Sequence, residues 1–305
     1  MATTKARPRL GIALGGGASR GWAHIGVLSE LARNGIEPDI VCGTSIGALV
    51  GGIYAAGKLP EFESWVASLT RREVLRLLDV TVSGGGVIAG KRLMDLFERH
   101  LGEMAIEELP RRFVAVATDL QTGSEVWLQK GSLLQAIRAS ISLPAVFTPV
   151  LGDGRWLVDG GLVNPLPVSV CRALRAEVVV AVVLRAGATL PIPQQPSSRT
   201  QTARRAEARH RAEGDEAELP MPPSVRSVIM QSLDIIQASL CSSRLTSDPP
   251  DLLLSPDVRH VASMEFAGGR PTIDEGYRVA REAMPALNAL LGRELTPCAS
   301  SPCSP

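Results

Sequence analysis

Apolar and polar positions fall into blocks along this chain, and short apolar runs that end in glycine alternate with longer stretches carrying a helical stripe. Arg9 to Leu14 reads as a short buried strand, and Gly15-Gly16-Gly17 follows it. From Arg20 to Asn34 the apolar positions Ile25, Leu28 and Leu31 recur at helical spacing, with Gly35 as a C-cap. Asp39 to Gly43 is a second strand, Ser45 to Ala56 a small-residue helix, and Gly57 its stop. Helices are then expected over Glu61 to Leu78, Lys91 to Leu101, Leu133 to Ser140 and Val168 to Leu174. Strands are expected over Phe113 to Thr118, with Glu125 to Leu128 as its antiparallel neighbour, and over Trp156 to Val158, which ends at Asp159. The β-branched run Glu177 to Leu184 reads as a central strand. A helix from Val225 to Leu240, a strand from Asp251 to Leu254 and a helix from Ile273 to Leu291 close the pattern. Strand, tight turn and helix in repeated order predict an α/β fold, a mostly parallel sheet flanked by helices.

Two stretches break the alternation. Residues 186–224 are rich in Pro, Gln, Ser, Arg and Glu and offer no core face, so they read as a flexible polar loop or linker. Residues 296–305 read as a disordered tail. The expected organisation is a core over 9–185, that linker, and C-terminal elements over 225–292 that complete the same domain.

Composition narrows the function classes. Apolar residues make up 45% and charged residues 21%, which is ordinary for a globular protein. With 32 basic and 31 acidic side chains the formal charge is +1, which argues against nucleic acid as a partner. The five cysteines form no CxxC pair, so neither a disulfide framework nor a zinc site is expected, and no cofactor is called for. Met1 to Arg9 lacks an apolar core of signal-peptide length, and no apolar segment reaches the roughly 20 residues of a membrane helix. The expectation is a cytoplasmic protein that touches membrane surfaces only if its substrate is a lipid.

Three motifs carry candidate chemistry. Gly43-Thr44-Ser45-Ile46-Gly47 is a G-x-S-x-G sequence between a strand and a helix, the setting of a nucleophile elbow. A helix N-cap serine in a glycine-rich turn is the competing reading. Gly15-Gly16-Gly17-Ala18-Ser19-Arg20-Gly21 also joins a strand to a helix, and its N–H groups can converge on an anion or an oxyanion. It fails the dinucleotide fingerprint because Arg20 stands where the last glycine belongs, and it lacks the P-loop Lys-Ser/Thr pair. Asp159-Gly160-Gly161, at a strand end, means little alone. The four histidines are His24, His100, His210 and His260, and none sits where a triad base would be delivered. A nucleophilic Ser45 therefore favours an acid as its partner.

In this order, the glycine loop, the elbow and the Asp-Gly-Gly turn resemble the patatin-like phospholipase family, and within it the bacterial members related to the esterase domain of neuropathy target esterase. Arg20 to Leu28, Ser83 to Gly86, Arg138 to Pro144 and Phe147 to Pro149 add to the likeness. It is strong over residues 9–185 and loose beyond. The resemblance implies a three-layer patatin-like fold and a serine esterase acting on lipid or other acyl esters. It implies Ser45 as nucleophile, Asp159 as general base, Gly15, Gly16 and Gly17 as oxyanion donors, and Arg20 as a residue that holds the loop or meets a phosphate. An aspartate needs burial to act as a base near neutral pH, so Asp159 is expected to be desolvated beside Trp156 and Leu157. Two rival readings are a non-catalytic regulatory protein that keeps the fold and a nucleotide-binding protein using Gly15–Gly21.

Overall fold

The apolar runs pair edge to edge into one sheet. The structure is a computed structural model that describes residues 7–81, 86–184, 224–262 and 264–293. Its strands are Leu10–Leu14 (β1), Ile40–Thr44 (β2), Arg112–Asp119 (β3), Glu125–Leu128 (β4), Val150–Gly152 (β5), Arg155–Asp159 (β6), Val178–Val182 (β7) and Leu252–Leu254 (β8). Strands β3, β2, β1, β7 and β8 lie side by side and parallel, while β4 and β6 join β3 antiparallel and β5 joins β6. The fold is a mixed, mostly parallel sheet flanked by helices, as the alternation predicted.

Both faces of the central strands are dry. In β7, Val178, Val180 and Val182 enter one core while Val179 and Ala181 enter another. That period-two division between two apolar cores explains a run with no polar face. The first core is shared with Trp22–Arg33 (α1), Ile46–Ala55 (α2) and Arg270–Leu290 (α9). The second is covered by Val168–Ala173 (α7) and by Cys241 and Leu245 of Val225–Ser247 (α8). Helix α9 packs along α1, and β8 extends the sheet beyond β7.

Three expectations change. The helix read over Glu61 to Leu78 is two helices, Leu59–Ser68 (α3) and Arg71–Leu77 (α4). Thr70 starts the second with a capping box: its side chain accepts from Glu73 N, and Glu73 Oε2 accepts from Thr70 N at 2.8 Å. Thr-Arg-Arg-Glu carries that signal in the sequence. The strand ending at Asp159 belongs to a hairpin, β5–β6, closed at Asp153-Gly154 with φ of 48° and 74°. Two positive φ values in a two-residue loop mark a type I′ turn. Helix α8 runs to Ser247, past the expected Leu240. The remaining helices are Lys91–Leu101 (α5) and Leu133–Ser140 (α6), where the periodicity put them. The linker and tail lie outside the described residues, apart from Ser224, whose side chain caps α8.

Among the described residues no helix is long and apolar enough to cross a membrane.

Candidate active site

Strand β2 passes into α2 through one residue, Ser45, at φ 55° and ψ −122°. A non-glycine residue in that region is strained and persists only where its surroundings hold it. The flanking glycines permit the turn. A Cβ on Gly43 would strike the Gly47 carbonyl and the Ala48 amide, and one on Gly47 would strike the Leu14 carbonyl. The serine backbone is held too. Its N–H donates to Ser140 Oγ at 2.9 Å, and Ser140 Oγ–H donates onward to the Val116 carbonyl at 2.6 Å. Thr44 Oγ1 donates to the Asn164 carbonyl at 2.8 Å.

Sheet register delivers the carboxylate. Strand β4 covers Ala115 to Thr118 on one edge of β3. Both β2, paired with Arg112 to Val116, and β6, paired with Ala117 to Asp119, overlap that span, so both occupy the opposite edge. They run in opposite directions and meet end to end. Thr44 lies opposite Val116, and Asp159 lies opposite the next residue, Ala117. Across 114 positions of sequence, Ser45 Oγ–H donates to Asp159 Oδ2 at 2.5 Å. The other carboxylate oxygen, Oδ1, accepts from Gly161 N at 2.7 Å. A length of 2.5 Å is that of a charge-assisted O–H···O⁻ bond.

Asp159 is 1% exposed. Burial pushes its carboxyl up to about 6, against the pull of the hydrogen bonds from Ser45 and Gly161. The expected desolvation is present, but only one of its two expected neighbours takes part. Alternation along β6 puts Leu157 on the face of Asp159, buried, and turns Trp156 to the other face, 46% exposed. No imidazole of the described residues bonds to either side chain. His24 is wholly buried, and its Nε2–H donates to the Gly15 carbonyl at 2.8 Å. A carbonyl can only accept, so that nitrogen carries the proton. Burial lowers the ring to about 4 and keeps it neutral.

The glycine loop is tied down more tightly than its sequence suggested. Gly15 N–H donates to the Val182 carbonyl and Gly16 N–H to the Pro165 carbonyl, both at 3.0 Å. Those two amides are therefore not open donors, which corrects the reading of all three glycines as an oxyanion nest. The amides of Gly17 and Ala18 have no partner among the described residues. Ala18 sits at φ 51°, a second strained residue beside Ser45. Arg20 Nε donates to the Val261 carbonyl at 3.0 Å and Ser19 Oγ to the Ala262 carbonyl at 2.8 Å. Arg20 is 8% exposed, and burial lowers its guanidinium while Asp234 opposes the shift. It ties the loop to the C-terminal part of the chain.

Two cavities flank this loop. An apolar one of about 120 Å³ starts at Ser45 and Ala18 and runs between Trp22, Leu49, Trp65 and Phe97. A smaller one, about 70 Å³, lies between the glycine loop and α8, with Arg20, Asp234 and Gln237 in its wall. Among the described residues no group of three or more His, Cys, Asp or Glu side chains is placed to hold a metal ion. Sequence reasoning missed Ser140, His24 as the anchor of Gly15, and Gln237. The Arg138 to Pro144 and Arg20 to Leu28 stretches marked Ser140 and His24 only as part of a likeness; for Gln237 no local signal exists.

The sequence profile of the patatin-like phospholipase family matches residues 12–172, which hold the glycine loop, Ser45 and Asp159. An uncharacterised NTE family protein of Mycobacterium tuberculosis is 46% identical over 177 residues, 58% of this chain and 49% of that one. A patatin-like phospholipase domain-containing protein of Caenorhabditis elegans is 39% identical over 188 residues, 56% of this chain and 13% of that one. The chain thus spans about half the length, or less, of these curated relatives. The crystal structure of VipD from Legionella pneumophila is similar in fold alone: TM-score 0.54 at 14% identity, over 92% of this chain and 67% of that one.

Proposed function

The chain belongs to the patatin-like phospholipase family, and from that premise we propose that it hydrolyses lipid-type carboxylic esters with Ser45 as nucleophile and Asp159 as general base. The observation that carries the reading is the 2.5 Å hydrogen bond from a strained elbow serine to a buried carboxylate raised to about 6. A carboxylate with an ordinary value near 3.9 is a weak base at neutral pH, whereas one near 6 is still ionised there and holds a proton better.

In the proposed cycle Ser45 Oγ attacks the ester carbonyl carbon while its proton passes to Asp159 Oδ2. The oxyanion faces the open amides of Gly17 and Ala18, with the N-terminus of α2 beneath the serine favouring negative charge. The C–O bond to the alcohol breaks, and Asp159 returns the proton to the leaving oxygen. Water then attacks the acyl-enzyme, giving its proton to Asp159, and the fatty acid leaves as Ser45 regains its hydrogen. Gly160 and Gly161 form the turn that lets the carboxylate approach. A Cβ on Gly160 would strike the Val116 carbonyl. His24 and Arg20 hold the glycine loop in place. The apolar cavity at Ser45 takes the acyl chain. On this reading the protein works in the cytoplasm and meets membranes only at their surface.

The test is hydrolysis of a panel of p-nitrophenyl acyl esters and phospholipids by the full chain, with Ser45→Ala as control, and labelling by a fluorophosphonate probe. Label on Ser45 with turnover supports the dyad. Folded protein that takes no label would favour a regulatory protein that has kept the fold.

A further inference from the structure

The apolar cavity at Ser45 is not the only one on that side of the sheet. A second, of about 310 Å³, lies beyond it, between Ile53 and Phe62 on one side and Leu96 and Leu101 of α5 on the other. Lys58 and Glu61 stand at its rim. Two side chains belong to the walls of both cavities: Trp65 of α3 and Phe97 of α5. Their rings meet edge to face, with centroids 6.1 Å apart and planes at 80°. They line both a chamber of about 120 Å³ that touches the serine and one of about 310 Å³ that does not.

The two tryptophans of this region are held differently. Trp22 is 3% exposed, and its Nε1–H donates to the Phe266 carbonyl at 3.1 Å. The Trp65 indole is half-buried, has no hydrogen-bond partner among the described residues, and packs against the core with ring contacts to Phe62 and Phe97. Ring contacts favour edge-to-face or offset geometry, but each pair adds little beyond the area it buries. An acyl chain attached at Ser45 would enter the first chamber, where this pair forms one wall and Leu77, Leu78, Ile88 and Phe147 belong to the others.

We propose that Trp65 and Phe97 set the acyl-chain length by closing the first chamber, so that the protein prefers short and medium acyl groups to long ones. The proposal rests on the dyad reading above, since Ser45 must carry the acyl group. Shrinking either ring joins the chambers, and the second has room and apolar walls for the rest of a long chain.

The measurement is kcat/KM for p-nitrophenyl butyrate, octanoate and palmitate. For the wild-type chain, palmitate should be the poorest. For Trp65→Ala, the palmitate-to-butyrate ratio should rise about tenfold or more, the discrimination that one or a few methylenes provide in an apolar pocket. Adding Leu96→Trp, which fills the far chamber, should return the ratio toward wild type. Phe97→Leu, a milder change that removes the same ring contact, carries the test if Trp65→Ala does not fold. A wild type that favours palmitate, or a ratio unmoved in both single variants while butyrate is still hydrolysed, overturns the part given to Trp65 and Phe97 and leaves the dyad standing. No turnover of any ester by folded wild-type chain overturns the dyad instead.

Discussion

The two sides of Ser45 are built by different rules. On the side of Asp159, backbone and hydrogen bonds fix every atom that matters: β2 and β6 end against neighbouring residues of β3, Ser140 holds the serine amide, and Gly161 holds the carboxylate. On the side of the apolar cavity, helices α3 and α5 contribute rings that touch through their edges and faces, with few directed bonds. Strand register cannot drift by half a residue, whereas rings packed through edges and faces can be replaced by other apolar groups of similar volume. The difference teaches where each property resides. Proton transfer needs atoms held within a few tenths of an ångström. Choice among chain lengths needs only volume and shape, and apolar walls tolerate change in both.

This contrast can be broken most forcefully on the dyad side. Ser45→Ala should lower kcat/KM by on the order of 10⁵ or more and abolish probe labelling, since the neighbouring Ser140 hydroxyl is fully buried and donates to the Val116 carbonyl. Asp159→Asn should lower kcat by about 10³–10⁴, because the amide still meets Ser45 and Gly161 but takes no proton. The same variant should be more stable than wild type near pH 8. The carboxyl rises from 3.8 to about 6 on folding, so the folded state binds its proton more tightly. Between those two values the stability that Asp159 confers falls as pH rises, and above about 6 the whole penalty of a buried charge is present. At about 1.4 kcal/mol per pH unit this is a gain of up to about 3 kcal/mol for the neutral amide. Thermal melts at pH 5 and pH 8 check it, and a variant less stable at both would deny that the carboxylate is strained. The wild-type kcat/KM should fall with acidification below about pH 6, when the base is protonated; a flat profile down to pH 5 would refute that role.

A smaller effect is expected at the elbow's frame. Gly47→Ala sets a methyl group against the Leu14 carbonyl, and backbone cannot yield as a side chain can. A loss of about 3 kcal/mol, read by denaturant unfolding, follows from overpacking at such a site. The smallest belongs to the ring side. Phe62→Leu removes contacts at 5.5 to 6.2 Å from the rings of Trp22, Trp65 and Phe97 but keeps an apolar group of similar bulk. It should lower stability by about 1–2 kcal/mol. If it destabilised the protein more than Gly47→Ala, the division between a rigid and a yielding side would be wrong.

Much of this was legible in the chain. The strands and most helices announced themselves because their signals are local: a run of Val and Ile, a stripe at helical spacing, a glycine at a stop. The elbow was legible for the same reason, since Gly43, Ser45 and Gly47 act within one turn. The break at Thr70 and the Asp153-Gly154 hairpin were missed, although a capping box and a turn dipeptide carry their signals. The histidines were informative by their positions, which pointed to an acid partner for Ser45.

What the amino-acid order determined by itself, then, is which segments become strands and helices and which residues bear reactive groups, because backbone preference and side-chain chemistry are properties of near neighbours. Only the tertiary structure decided that Gly15 and Gly16 spend their amides on Val182 and Pro165 while Gly17 and Ala18 stay open, that a buried His24 holds the loop, and that Trp65 and Phe97 line both chambers. Apart from the bond from His24 to Gly15, which spans nine positions, these are matters of contact between segments far apart in the chain. Their meeting is set by sheet register and helix packing, which no short window of residues encodes.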